Sequence, residues 1–201
     1  MNMLVVFAMV TLVLGCSTTL HNIKSAKELK ENKLLTGRFV FFHNDIPLEN
    51  SEGFTIFFKE SSNKKLRAFK PDENGYVYIA LDQGRYHIST IEYRDFQGRI
   101  RFPVRQSSGI HIYNSDTVIN FGTIKINLKQ DESSKVASLT TYAYPYAGKF
   151  IPLSQRPEFR ITQIPEWNVI NKYIASKLDI PQKLIRDEVV KITQEIDSTS
   201  E

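Results

Sequence analysis

The stretch PDENGYVYIALDQGRYHI, Pro71–Ile88, carries the fold in miniature. Asn74-Gly75 is a favoured pair for a type I′ hairpin turn, because both residues reach φ > 0 at low cost. Val77, Ile79 and Leu81 then alternate with Tyr76, Tyr78 and Ala80. Successive side chains of a strand point to opposite faces, so this alternation predicts a strand with one face against a core. Asp82-Gln83-Gly84 is a second turn signal, and Tyr86 and Ile88 resume the pattern after it.

The same period of two extends in both directions. Phe54, Ile56 and Phe58 alternate with Thr55 and Phe57, and Ile100 and Phe102 with Arg99 and Arg101. Ile110 and Ile112 flank His111, while Ile124, Ile126 and Leu128 alternate with Lys125, Asn127 and Lys129. Gln97-Gly98 and Asn114-Ser115-Asp116 punctuate the series. About eight strands are predicted, over 36–43, 53–59, 64–70, 76–81, 85–94, 98–105, 109–113 and 117–128. Short strands with turns between them and no helical pattern predict a mainly β, antiparallel sandwich over 36–150.

After a polar break at 129–135, residues 136–151 read as extended, with Tyr142, Tyr144 and Tyr146 alternating around Pro145. A short C-terminal α-helical region is predicted within 151–201. Trp167, Ile170, Ile174 and Leu178 fit a helix over 166–178. Ile185, Val189, Ile192 and Ile196 fall on one helical face over 181–196, with Pro181 suited to its first turn.

The motif Asp72-x-x-Gly75, an apolar strand, then Leu81-x-x-Gly84-x-Tyr86-x-Ile88, resembles a hairpin of prealbumin-like sandwiches. These include carboxypeptidase regulatory-like and Cna-B-like domains. The resemblance covers 18 residues directly and implies a fold and a role as stalk, spacer or binding module. It carries over no functional residue.

Residues Met3–Gly15 (MLVVFAMVTLVLG) hold no charge. Thirteen residues suit a signal-peptide apolar core and fall short of the roughly 20 that a spanning helix needs. The run ends Val13-Leu14-Gly15-Cys16, which resembles the lipobox of bacterial lipoproteins. That resemblance implies cleavage between Gly15 and Cys16 and acyl chains on Cys16 as a membrane anchor. Ser17, not Asp, follows the cysteine, which implies the outer membrane of a diderm cell envelope. An ordinary cleaved signal peptide is the alternative. Residues 1–15 are then the signal peptide and 16–35 the lipidated cysteine with a polar tether. Ser25 and Glu28 have capping-box spacing, so a short helix at 26–33 and a flexible spacer are both compatible with the tether.

Composition bounds the chemistry. Apolar residues make up 41 % of 201 and charged residues 24 %, the balance of a globular protein. A net charge of +4 without long basic runs gives no nucleic-acid signature. Cys16 is the sole cysteine, which excludes an internal disulfide and a cysteine-based metal site. His87, His111 and Glu92 are the nearest approach to a zinc set, but they lack ligand spacing and read as strand-surface residues. No nucleophile elbow, phosphate loop or dinucleotide fingerprint occurs. No catalytic residue, metal or cofactor is therefore assigned. The candidate binding surfaces are the Tyr142, Tyr144, Tyr146 stripe and the Arg99, Arg101 face. The first could stack on sugar rings or a partner, the second meet lipid phosphates or an anionic polymer. Packing onto the chain's own sandwich and plain solvated strand are the respective alternatives. The expected function is a non-enzymatic interaction or structural module of the envelope. A glycan- or anionic-polymer-binding module comes second, and an envelope hydrolase third.

Overall fold

A computed structural model describes residues 33–49, 51, 53–94, 99–105, 108–129 and 158–192. They form two β-sheets stacked face to face, as a sandwich requires. The first sheet centres on β1 (Lys33–His43) and β9 (Val118–Lys129), which run parallel. Beyond β1 lie β5 (Tyr76–Leu81) and the two-residue β2 (Ile46–Pro47); beyond β9 lie β10 (Glu158–Ile164) and β11 (Ile185–Asp187). The second sheet has the order β4 (Leu66–Phe69), β3 (Phe54–Glu60), β6 (Gly84–Arg94), with β7 (Arg99–Pro103) and β8 (Ile110–Ile112) sharing the far side of β6.

Alternation explains the core. Leu35, Phe39 and Phe41 of β1 meet Phe54, Ile56 and Phe58 of β3 and Ile88 and Ile91 of β6 between the sheets. The rings of Phe41 and Phe54 stack at 3.8 Å between centroids. On β9 the alternation changes phase at a bulge, where Gly122 takes φ +77°. The bulge brings Phe121 into the core beside Phe39 and Phe58. Its ring occupies the space that a Cβ on Gly37 would need, 2.2 Å away.

The motif at 71–88 is not the hairpin that its turn signals predict. β4 and β5 belong to different sheets, and so do β5 and β6. Both turns are joints from one layer to the other. Asn74 is not among the residues with positive φ; Gly75 alone of the pair takes it, at +84°. The Asp72 carboxylate organises the first joint by accepting from the backbone N–H of Asn74 at 3.0 Å and Tyr76 at 2.8 Å. In the second joint Tyr86 is buried, and its hydroxyl donates to the Asp82 carbonyl at 3.1 Å. Burial pushes that hydroxyl up to about 12, so it stays a neutral donor.

The predicted helix at 166–178 is present as α1 (Trp167–Leu178). Pro165 precedes it, and Asp179 ends it in the left-handed conformation at φ 54°. Ile170, Ile174 and Leu178 lie one turn apart and bury against Leu34, Tyr76, Tyr78 and Val118 on the outer face of the first sheet. Each such side chain contributes roughly 1.5–3 kcal/mol of burial.

Two expectations are corrected. The predicted helix over 181–196 is, within the described residues, a 3-10 turn (Gln182–Leu184), then β11 and an extended segment. Ile185, Val189 and Val190 are β-branched and suit a strand, and the edge of β9 at Val118–Asn120 offers ladder partners that an isolated helix lacks. The sandwich also begins earlier than 36. Leu34 and Leu35, assigned by sequence to the tether, are wholly buried in β1.

Candidate binding surface

The outermost column of each sheet is divided. β5 covers β1 over Lys33–Arg38 and β2 covers it at Phe42–His43. Likewise β8 covers β6 over Gly84–Tyr86 and β7 covers it over Thr90–Arg94. A cleft opens at each gap. The first, of about 310 Å³, lies beside Phe39–Phe41 and is bordered by Leu48, Glu49 and Glu73–Gly75. Two backbone bonds cross its floor, from Phe39 N–H to Gly75 O and from Leu48 N–H to Phe41 O. The second, of about 270 Å³, lies beside His87–Ser89 and is bordered by Lys59–Ser61, Lys64 and Val104. It coincides with a bulge that leaves Ser89 unmatched opposite Phe57/Phe58. Bulges and interrupted columns are where sheets open to ligands.

The outer faces of the sheets differ. α1 covers the end of the first sheet built from Leu34, Tyr76, Tyr78 and Val118. No described helix or strand lies over the second sheet. Its outer face carries Thr55, Phe57 and Lys59 of β3, His87, Thr90, Glu92 and Arg94 of β6, and Arg101 of β7. Leu66, at its edge on β4, is 53 % exposed.

Of the predicted Arg99, Arg101 pair, Arg101 lies on this face. Arg99 stands opposite Arg94 in register, and Arg101 opposite Glu92. Arg101 is not a free cation. Its Nε donates to the Glu92 carboxylate at 2.6 Å, and its guanidinium lies 5.6 Å from the centre of the Phe57 ring. The basic residues Lys64, Lys65 and Arg67 do not share one strand. Lys64 and Lys65 form the turn before β4, and Arg67 pairs with Asp82 at 3.4 Å. His87, His111 and Glu92 do not converge, and among the described residues no group of three His, Cys, Asp or Glu side chains could share a metal ion. Gly15, Cys16 and the Tyr142, Tyr144, Tyr146 stripe lie outside the described residues.

Sequence reasoning missed one polar centre. Arg186 of β11 donates from Nε and Nη2 to the two oxygens of Asp116 at 2.8 and 2.9 Å. It also donates to the Glu188 carboxylate and the His111 carbonyl, and lies over the Tyr113 ring at 5.2 Å. Asp116 accepts in addition from Tyr113 N–H at 2.7 Å. Burial alone would raise the Asp116 carboxyl; the donors from Arg186 and Tyr113 outweigh it and hold the group below its ordinary value. Beside it, Asn120 bridges to Asn171 on α1 at 2.7 Å, and Asn171 to Asp187 at 2.9 Å. These groups bond one another across β9, β11, α1 and the turn at Asp116. The network fastens the C-terminal segment and α1 to β9. The partners are 70 residues apart in sequence, and only Asp116, within its turn motif, gave a local signal.

Among the described residues no helix is long and apolar enough to cross a membrane. The chain matches no known family model, and no curated protein is similar to it.

Proposed function

We propose that the protein is a cell-envelope lipoprotein whose sandwich, of the prealbumin-like kind, serves as a non-enzymatic interaction module. Acyl chains on Cys16 hold it to the outer membrane of a diderm bacterium. The observation that carries the reading is the outer face of the second sheet, which exposes Leu66, Arg94 and Arg101 around a half-buried Phe57 and the buried Glu92 carboxylate, with no described element over it. Aromatic and arginine side chains on one rigid face are the anchors that protein interfaces favour. The uncharged run ending Gly15-Cys16 supports the anchor, and the sixteen residues between Cys16 and Lys33 support a tether. Such a length spans at most about 55 Å. The two stacked sheets support a sandwich, while the motif that carried the resemblance falls on crossings between layers and not on a hairpin.

Two measurements test this. Cys16→Ser is expected to abolish acyl labelling and leave the chain unprocessed by the lipoprotein route; unchanged labelling overturns the anchor. A photo-crosslinking residue placed at Phe57 in living cells is expected to trap a defined envelope protein, and the adduct is lost in Cys16→Ser. The same residue at Val169, on the exposed side of α1, is the control. Equal adducts from both positions overturn the assignment of the working face.

A further inference from the structure

The cleft at the gap between β7 and β8 gathers positive charge. Lys59 and His87 stand directly opposite one another across β3 and β6. Arg85 is two residues before His87 on the same face, with His111 opposite it on β8. Lys64 enters from the β3–β4 turn, where it takes φ 61°. Lys59 and Lys64 are the cations that line the cleft, with the His87 imidazole as a polar group between them. Glu60 brings one carboxylate to the cleft wall. Glu60 accepts from Ser62 at 2.7 Å and Asn63 at 2.9 Å, and Glu188 pairs with Arg186. In the cleft wall, the Ser61 hydroxyl is out of contact with solvent and has no hydrogen-bond partner among the described residues. Burial, then the charges of Arg85, His111, Lys64 and Lys59, depress the His87 imidazole.

The position of this cleft in the fold narrows its ligand. β1 begins at Lys33 opposite Leu81, and β6 begins three residues later at Gly84. β3 ends at Glu60 opposite Tyr86. The cleft, beside the middle of β6 and the end of β3, therefore lies toward the side of the sandwich where β1 begins. Resting on the lipoprotein reading above, this is the side from which the tether leads to the anchoring bilayer.

We propose that the Lys59–Lys64–His87 cleft binds a phosphoryl group, presented by lipid headgroups of the anchoring membrane. Two ammonium groups supply the charge, and the imidazole supplies a directed donor. A volume of about 270 Å³ admits a phosphate with part of a headgroup.

The test is a titration of the full-length chain in neutral detergent micelles, read by NMR at the His87 ring. The probes are inorganic phosphate, dihexanoylphosphatidic acid and dihexanoylphosphatidylcholine. Saturable shifts with dihexanoylphosphatidic acid are expected, weakened about tenfold or more in Lys59→Gln/Lys64→Gln. Tighter binding of the lipid than of inorganic phosphate supports the headgroup. Equal affinities keep the phosphoryl site but overturn its assignment to lipid. Absence of a saturable shift, or an unchanged shift in the double variant, overturns the site. Lys64→Glu, in an exposed turn, is a second variant should the double one fail to fold, and it is expected to weaken binding likewise. The titration needs no acyl chain, so Cys16→Ser separates the two readings. Binding retained there while labelling is lost leaves both standing; labelling intact without binding removes the cleft alone.

Discussion

Arg186→Met is expected to lower the stability of the chain by about 3 kcal/mol, read as a fall in the urea midpoint at unchanged slope. The guanidinium is 32 % exposed, which discounts the loss, but Asp116 is only 6 % exposed and would be left charged and half-satisfied. The removal also strips donors from Glu188 and the His111 carbonyl. Arg186→Lys is expected to recover only part, because an ammonium cannot reach both Asp116 oxygens in a fixed fork. Asp116→Asn in the Arg186→Met background is expected to recover more, since it removes the uncompensated charge; strict additivity of the two changes would show that they are not coupled. The pH dependence follows from the lowered carboxyl of Asp116. Its folded value lies below its unfolded one, so its contribution is fully present above the ordinary carboxylate range, about pH 4, and is lost as pH falls through the lowered value. In Arg186→Met burial dominates that carboxyl and favours its neutral form. The gap between wild type and variant is therefore expected to narrow on acidification through the carboxylate range, in urea titrations at several pH values.

Gly75→Ala is expected to cost about 2–4 kcal/mol, whereas Gly84→Ala, in the same motif, is expected to cost under about 1 kcal/mol. At Gly75 the backbone holds φ +84°, and a Cβ would come within 2.1 Å of the Phe39 carbonyl oxygen. That oxygen belongs to the backbone of the central strand β1, so it cannot turn aside. Any shift also disturbs the bond from Phe39 N–H to Gly75 O at 2.8 Å. At Gly84 the added methyl meets the Tyr86 ring at 3.4 Å, an ordinary contact. Thermal unfolding of the two variants would check the contrast. Similar losses at both would mean that the first joint is more adaptable than its geometry implies.

These two sites show what could be read from residues in order. The strands were legible because a half-buried strand repeats every two residues, and each of the eight predicted strands between 36 and 128 lies where one is observed. Which sheet a strand joins is not a local property. Asn74-Gly75 and Asp82-Gln83-Gly84 look alike whether the next strand folds back in the same layer or crosses to the other. Over 185–192, Ile185, Val189 and Ile192 fit a helical face, while Arg186, Glu188 and Val190 equally fit one face of a strand. A free ladder edge on β9 decided between them, and Arg186 found its partner in a distant turn. The site suffered in the same way. Arg101 was visible as a cation, but its neutralisation by Glu92 depends on the β6–β7 register. His87, Lys59 and Lys64 become neighbours only after β3, its turn and β6 are in place.

The row Leu34, Val118, Ile185 joins the first, ninth and last strands side by side, with both pairings parallel. Pairings so distant along the chain are slow to form, because loop closure precedes any gain from contact. During synthesis β9 emerges with one flank empty, and β10, α1 and β11 fill it only when residues 158–192 have followed. A chain completed from its far end remains threadable while it is being made. For the exported lipoprotein proposed above, delayed folding would be an asset, since a channel passes an open chain and not a finished sandwich.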